Sequence, residues 1–562
     1  MRKLLFHVCL FFCLVFLLLF FFLPVFQVLK GGIMDSSGFS LFYLKEVFRN
    51  PLYLDGLCNS FLLAITTTAV SLLIAFPLAW FSDHYDFPGK KLLQGALLLP
   101  MILAPFVGAL GIQCLFGKFG AVNALLAKLG ILAEGAGPDW FAGGFWGVVI
   151  LEALHLFPIL YMNLAAAMAN IDPALLEAAE DCGCTGFRRF RRIVLPLLRP
   201  GIFAGATLVF IWSFTELGTP LMFNYNRTTA VQIFHGLSEL ENNHVPYALV
   251  TVMMLLSGAA YLTAKLCFGE NAMAMTSKAG RGSQARRATG WQAVLITAFF
   301  TLVATFCLLP HLGVLGLACG RSWYNSVLPS ALTTEHLEAA LGHSLTVPSI
   351  INSMRYASFA VLISLCLGLF FAYVIVRGKG GWRNFLDMAA MLPLAVPGIV
   401  HAFGFLALAQ KGNIFHCFDP VQNPTVLLVI AYAVRRLPYV VRSAVAGLQQ
   451  TSVSFEEAAA SLGAPPLTVF RRITVPLISA NLIAGGILAF SFSMLEVSDS
   501  LILAQKAVYF PITKAIYELS MLLGQGQYLA SALGLWTMLF LGLSLLSASL
   551  LLGKKMGAIF RA

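Results

Sequence analysis

The run Glu177-Ala178-Ala179-Glu180-Asp181-Cys182-Gly183 returns as Glu457-Ala458-Ala459-Ala460-Ser461-Leu462-Gly463. Ten residues after each glycine stands an isoleucine, Ile193 or Ile473, and three further on a proline, Pro196 or Pro476. Each pair keeps one interval, 457 − 177 = 476 − 196 = 280, close to half of the 562 residues. Pro173 suits the first turn of a short helix and Gly183 its end. Leu175, Leu176, Ala178, Ala179 and Cys182 would give that helix an apolar, small-residue face, which lets another protein approach closely. Glu177 and Glu457 can then pair with basic groups on a partner or cap their own loops. The competing account is an amphipathic helix lying on a membrane surface, with nearby arginines only fixing topology. A second copy at matched spacing argues against it.

A second group of ionisable residues lies inside apolar runs, where such groups are costly and mark function by default. Glu152 and His155, three apart, share one helix face. Glu216 and Glu496 are related by the same interval of 280, with Asp499 three residues beyond the second, and His401 stands in a run of its own. One reading is a translocation path lined by Glu152, His155, Glu216, His401, Glu496 and Asp499. Its oxygen and imidazole groups would suit a hard or borderline metal ion in passage. The other is an interhelical ion pair between Glu152 and Arg435 or Arg436, fixing the two halves. No resident metal site is expected. The eleven cysteines lie mostly in or beside apolar runs, and Cys182-x-Cys184 alone falls short of the two such pairs zinc usually takes.

Two absences narrow the function. The sequence has no G-x-x-x-x-G-K-[ST], so this chain cannot cradle nucleotide phosphates in a P-loop. No pairing of nucleophile and base suggests an enzyme.

The elements that must position these residues follow from composition. The chain is 59% apolar and 11% charged, with a mean hydropathy of +0.84, against roughly 25% charged in soluble domains. The bilayer must be part of its solvent. Twelve apolar runs of spanning length stand at about 4–29, 57–81, 92–116, 143–168, 199–223, 245–268, 291–317, 351–376, 386–409, 424–445, 478–504 and 530–552. The first is too long for a signal-peptide core and is expected to be retained. The net charge of +11 points to no nucleic acid. The basic residues gather in alternate loops (Lys90 and Lys91, Arg188 to Arg192, Arg281 to Arg287, Arg377 to Arg383, Arg471 and Arg472) and at the chain ends. The positive-inside rule then puts both termini in the cytoplasm.

The repeat extends beyond its core: Pro158 with Pro438, Asn59-Ser60 with Asn352-Ser353, Pro100 and Pro105 with Pro393 and Pro397. The expected architecture is an all-α polytopic membrane protein of two parallel six-helix repeats. They would occupy residues 1–280 and 281–562, with loops at about 170–198 and 450–478 and a linker at about 270–290.

The pattern E-A-A, three residues, G, nine residues, I, one residue, L or V, P resembles the loop of permeases in binding-protein-dependent ABC importers. The fused arrangement is similar to the ferric-iron branch, with thiamine and aminoalkylphosphonate permeases as relatives. The resemblance implies that Glu177, Ala178, Ala179, Gly183 and Pro196, with Glu457, Ala458, Ala459, Gly463 and Pro476, form two docking sites for a cytoplasmic P-loop ATPase. Two copies of that subunit would hydrolyse the ATP, no cofactor being bound by this chain. A periplasmic or lipid-anchored binding protein would deliver cargo at the other face of a bacterial inner membrane. A twelve-span secondary transporter with carboxylate proton relays is the alternative from another class, but it needs no such loops.

Overall fold

The computed structural model describes residues 2–35, 38–133, 135–239, 243–268, 286–378 and 380–552. Residues 270–285 of the expected linker lie outside that description, as do Lys379, Lys554, Lys555 and Arg561. The chain is helical almost throughout, the described strands being two-residue pairings such as Tyr85–Asp86 with Arg286–Arg287. Among the described residues nine helices are long and apolar enough to cross a membrane, and two bent pairs, Gly381–Ala395 with Gly398–Leu408 (95°) and Pro466–Leu477 with Ser479–Met494 (71°), raise this to eleven. The tenth run of the sequence is also one helix, Thr425–Gln450. Arg435, Arg436 and Arg442 make it too charged to pass as apolar. It is nonetheless deeply buried, because helices Thr346–Arg377 and Ser479–Met494 pack along it.

Several expected spans are interrupted. The run 92–116 divides into Lys90–Ala96, a tight turn at Leu99–Ile102 and Pro105–Phe116, where Pro100 and Pro105 remove backbone donors. Glu216 and Glu496 do not sit in continuous helix as the apolar runs suggested. Helix Leu195–Phe214 stops, and the chain resumes as Gly218–Met222; helix Ser479–Met494 stops, and the chain resumes as Ser498–Leu503. Each glutamate lies in the break. Irregular backbone at membrane depth is tolerated where protein buries it or where it lines a cavity. Here Ser500 Oγ and Thr513 Oγ1 donate to the freed Glu496 carbonyl at 2.6 and 2.7 Å.

The first long helix of each half packs on the opposite half. The segment Leu23–Ile33 lies against Gly398–Leu408, and Gly290–Cys319 lies against Pro105–Phe116. Both contacts use the same device. The Pro310 carbonyl sits where a Cβ on Gly111 would go, and the Pro24 carbonyl sits against Gly404, 2.6 Å from where its Cβ would be. Gly111 and Gly404 are 293 apart, the interval that separates Asn59 from Asn352. An apolar cluster runs across the junction, with Phe214, Leu217 and Tyr247 from one half and Phe403, Tyr432 and Leu501 from the other.

Candidate functional site

The two repeat loops have matching backbones. Asp172 caps helix Pro173–Asp181 by accepting the Ala174 amide at 3.0 Å, and the second loop carries helix Ser454–Ser461. Gly183 and Gly463 have φ of +72° and +83°, a left-handed turn that disfavours any residue with a Cβ. Beyond them the Cys184 amide reaches back to the Ala179 carbonyl at 2.8 Å, and Ala464 to Ala459 at 3.1 Å. These bonds satisfy carbonyls the helix end leaves open. Each chain then enters a π-turn, Phe190–Val194 or Phe470–Thr474. Pro196 and Pro476 stand two residues beyond the turns and cannot donate to the carbonyls of Arg192 and Arg472, so the helix widens there.

These turns leave Glu177, Ala178, Glu457 and Ala458 exposed, while Ala179 is buried and Ala459 half-buried. Leu175 and Phe187 on the first loop, and Phe455, Leu462 and Leu467 on the second, are apolar side chains held in the open. The loops differ in what anchors them. Glu456 is buried and pairs with Arg377, Nε to Oε1 at 3.2 Å, while Arg377 Nη2 donates to the Thr451 carbonyl at 3.2 Å. Leu176 holds the equivalent place in the first loop, whose ion pair is the surface contact of Glu180 with Arg189. In the sequence Arg377 stands out only as one of the basic loop residues. The doubled Glu456-Glu457 was the signal that one of the two carboxylates turns inward.

The buried ionisable residues form one connected charge cluster at the junction of the halves. Arg435 Nη1 donates to Glu496 Oε1 at 2.8 Å and lies 3.9 Å from Asp499 Oδ2. Arg436 Nη2 donates to Glu496 Oε2 and, at 2.8 Å, to the Phe492 carbonyl. The expected pair of Glu152 with Arg435 or Arg436 does not form: Glu152 instead accepts from Ser213 Oγ. Its other oxygen and both carboxylate oxygens of Asp499 are buried without a hydrogen bond. Glu216 stands beside Gly218 and Thr219 and within electrostatic reach of Arg435, Glu496 and Glu152. A Cβ on Gly218 would stand 3.0 Å from Val497 Cγ1, so the two broken helices meet at their glutamates.

The histidines are held elsewhere. His155 Nδ1 and His401 Nε2 each lie 2.8 Å from a backbone carbonyl, of Pro100 and Phe20. A carbonyl only accepts, so each of these nitrogens carries the proton. Phe20 is four residues before Pro24, whose missing N–H leaves that carbonyl free; His401 satisfies it. Among the described residues no three His, Cys, Asp or Glu groups come together as a metal site. Sequence reasoning missed Gly398, where a Cβ would overlap the Arg435 guanidinium. Glycine is what lets that side chain cross the 95° bend.

An all-helical membrane protein with paired, outward-facing Glu-Ala-Ala loops is a transport permease. The chain belongs to the family of binding-protein-dependent transport system inner membrane components, whose model matches residues 58–309 and 364–556. It is 26% identical over 463 residues to a ferric transport system permease protein of Actinobacillus pleuropneumoniae, covering 81% of this chain and 64% of that one. A Fe(3+)-transport system permease protein of Haemophilus influenzae is 23% identical over 82% of this chain and 84% of its own length. The spermidine/putrescine transport system permease protein PotB of Escherichia coli is 30% identical over 35% of this chain and 72% of its own. Among solved structures, a bacterial ABC transporter involved in importing the acidic polysaccharide alginate aligns with 48% of this chain at 18% identity and a TM-score of 0.38.

Proposed function

We propose that this chain is the whole membrane-spanning part of an ATP-driven importer, moving ferric iron inward from a binding protein on the outer face. The observation that carries the reading is the pair of loops 280 residues apart, with the same left-handed glycine, the same π-turn and the same exposed glutamate. One polypeptide thus supplies two docking sites, each for one copy of a P-loop ATPase. Both termini lie on the ATPase side. Glu177 and Glu457 meet basic groups of that partner, and the exposed leucines and phenylalanines beside them supply apolar contact.

The translocation path runs along the junction of the halves, past Glu152, Glu216, Glu496 and Asp499. Buried carboxylates in excess of their arginine partners favour a cationic cargo. His155 and His401 border this path and hold its walls by their bonds to Pro100 and Phe20. The ferric permeases similar over most of this chain support iron. A polyamine is the second reading, favoured by the likeness to PotB over about a third of the chain. Thiamine and aminoalkylphosphonates are the remaining cargoes of the resembled branch.

The test is uptake into proteoliposomes holding the chain with its ATPase and binding protein. ATP-dependent accumulation of radiolabelled ferric iron, unaffected by spermidine, thiamine or aminoethylphosphonate, is the expected result. Accumulation of one of the competitors instead would overturn the cargo. Uptake without ATP, driven by a proton gradient, would overturn the importer.

A further inference from the structure

Glu216 and Glu496 are repeat-related, occupy the same break in the same broken helix, and meet across the junction. Yet they are engaged differently. Glu496 is ion-paired with Arg435 and Arg436, whereas Glu216 has no arginine within ion-pair distance among the described residues and stands beside Gly218. The arginines exist in one half only: positions 280 before them are His155 and Leu156. Two equivalent carboxylates therefore face one shared guanidinium, Arg435.

A guanidinium is charged at every pH a protein meets, and at membrane depth it needs a carboxylate in every conformation. Arg436 is fixed, since it also bonds the Phe492 carbonyl and is 10% exposed. Arg435 makes a single short carboxylate bond, and its side chain is 26% exposed against 4% for Glu496. It lies over Gly398, where no side chain hinders it. Of the two arginines it is the less enclosed.

We propose that Arg435 is a switching gate between the halves, bound to Glu496 in the conformation seen here and handed to Glu216 in the alternate one. Hand-over exchanges one buried ion pair for another, so the guanidinium is never stranded and the two states can lie close in energy. It also withdraws Arg435 from Asp499 at one moment of the cycle, Glu496 staying on Arg436, and from Glu216 at the other. A cation on the path thus meets an uncovered carboxylate first on one half, then on the other. This last consequence rests on the importer reading; the hand-over itself does not.

The test is a triple-mutant thermodynamic cycle on the full chain in lipid nanodiscs, read as thermal unfolding temperature, with no ATP, partner or cargo present. In the otherwise native chain, Arg435→Met and Glu216→Gln are expected to shift the midpoint additively, because Arg435 rests on Glu496. With Glu496→Gln in place, Arg435 should move to Glu216, and the same two substitutions should become non-additive. Arg435→Lys, which keeps a charge but reaches only one partner, serves as a second probe. It should show the same change from additive to coupled if Arg435→Met fails to yield folded protein. Additivity in both backgrounds would overturn the proposal, since Arg435 would then have fallen back on Asp499. Strong coupling to Glu216 already in the native background would overturn it too, since no hand-over would be needed.

Discussion

Arg435 of helix Thr425–Gln450 and Glu496 in the break after Ser479–Met494 are joined at 2.8 Å, and Arg436 takes the other oxygen of the same carboxylate. One glutamate thus bridges two arginines within an apolar bundle, with Asp499 3.9 Å from Arg435 as the nearest further carboxylate. Breaking such a pair from one side costs roughly 3–5 kcal/mol, because it leaves uncompensated buried charge. Glu496→Gln is therefore expected to lower the unfolding temperature in nanodiscs markedly, and more than Glu216→Gln, whose carboxylate has no arginine within ion-pair distance among the described residues. A Glu496→Gln protein as stable as wild type would show that the remaining carboxylates, Asp499 and Glu216, suffice for both arginines.

Gly398 tests the same cluster from beneath. Gly398→Ala places a methyl group inside the Arg435 guanidinium, so it should destabilise the native chain. In the Arg435→Met background the flexible thioether can yield, and the same substitution should cost much less. Equal costs in the two backgrounds would mean that the glycine answers to something other than Arg435.

His401 and Pro24 should be coupled in the same way. His401→Leu strands the Phe20 carbonyl, a loss of about 1–3 kcal/mol for an unsatisfied buried group. Pro24→Ala restores an amide able to reach that carbonyl, so His401→Leu should be milder in its presence. A double-mutant cycle on unfolding temperature measures this, and simple additivity would refute the assignment.

The two loops should respond differently to salt. The first carries Glu180, Asp181 and the cluster from Arg188 to Arg192, mostly exposed; the second offers Ala460, Ser461 and an interior anchor, Arg377 with Glu456. Exposed charges are screened over about 8 Å at physiological ionic strength. Raising salt from 50 to 300 mM should therefore weaken ATPase binding more in Glu457→Ala, which depends on the first loop, than in Glu177→Ala. Identical salt dependence would contradict it.

The sequence revealed the loops because two copies at one interval cannot be mistaken for composition, and their glycines and prolines sit where the backbone turns. Span positions were legible for a similar reason: twenty apolar residues have few other uses. The break at Glu496 was not legible, since no glycine or proline lies between Leu495 and Leu503, whereas Gly218 and Pro220 just after Glu216 did mark the first. Nor could the sequence choose the partner of Arg435. Glu152 and Glu496 were both in apolar runs, and only the packing of Ser213 against Glu152 released the arginines to Glu496. The crossed first helices were likewise hidden, because Gly111 with Pro310 and Gly404 with Pro24 are separated in sequence by 199 and 380 residues.

We propose that one polypeptide docks two ATPase subunits through repeat-related loops. The most direct measurement is the stoichiometry of the isolated complex by native mass spectrometry, for the wild type and for Glu177→Ala, Glu457→Ala and the double variant. Two ATPase copies per chain in the wild type, predominantly one in each single variant and none in the double is the predicted series. One ATPase copy on the wild type, or two retained on the double variant, would contradict the account.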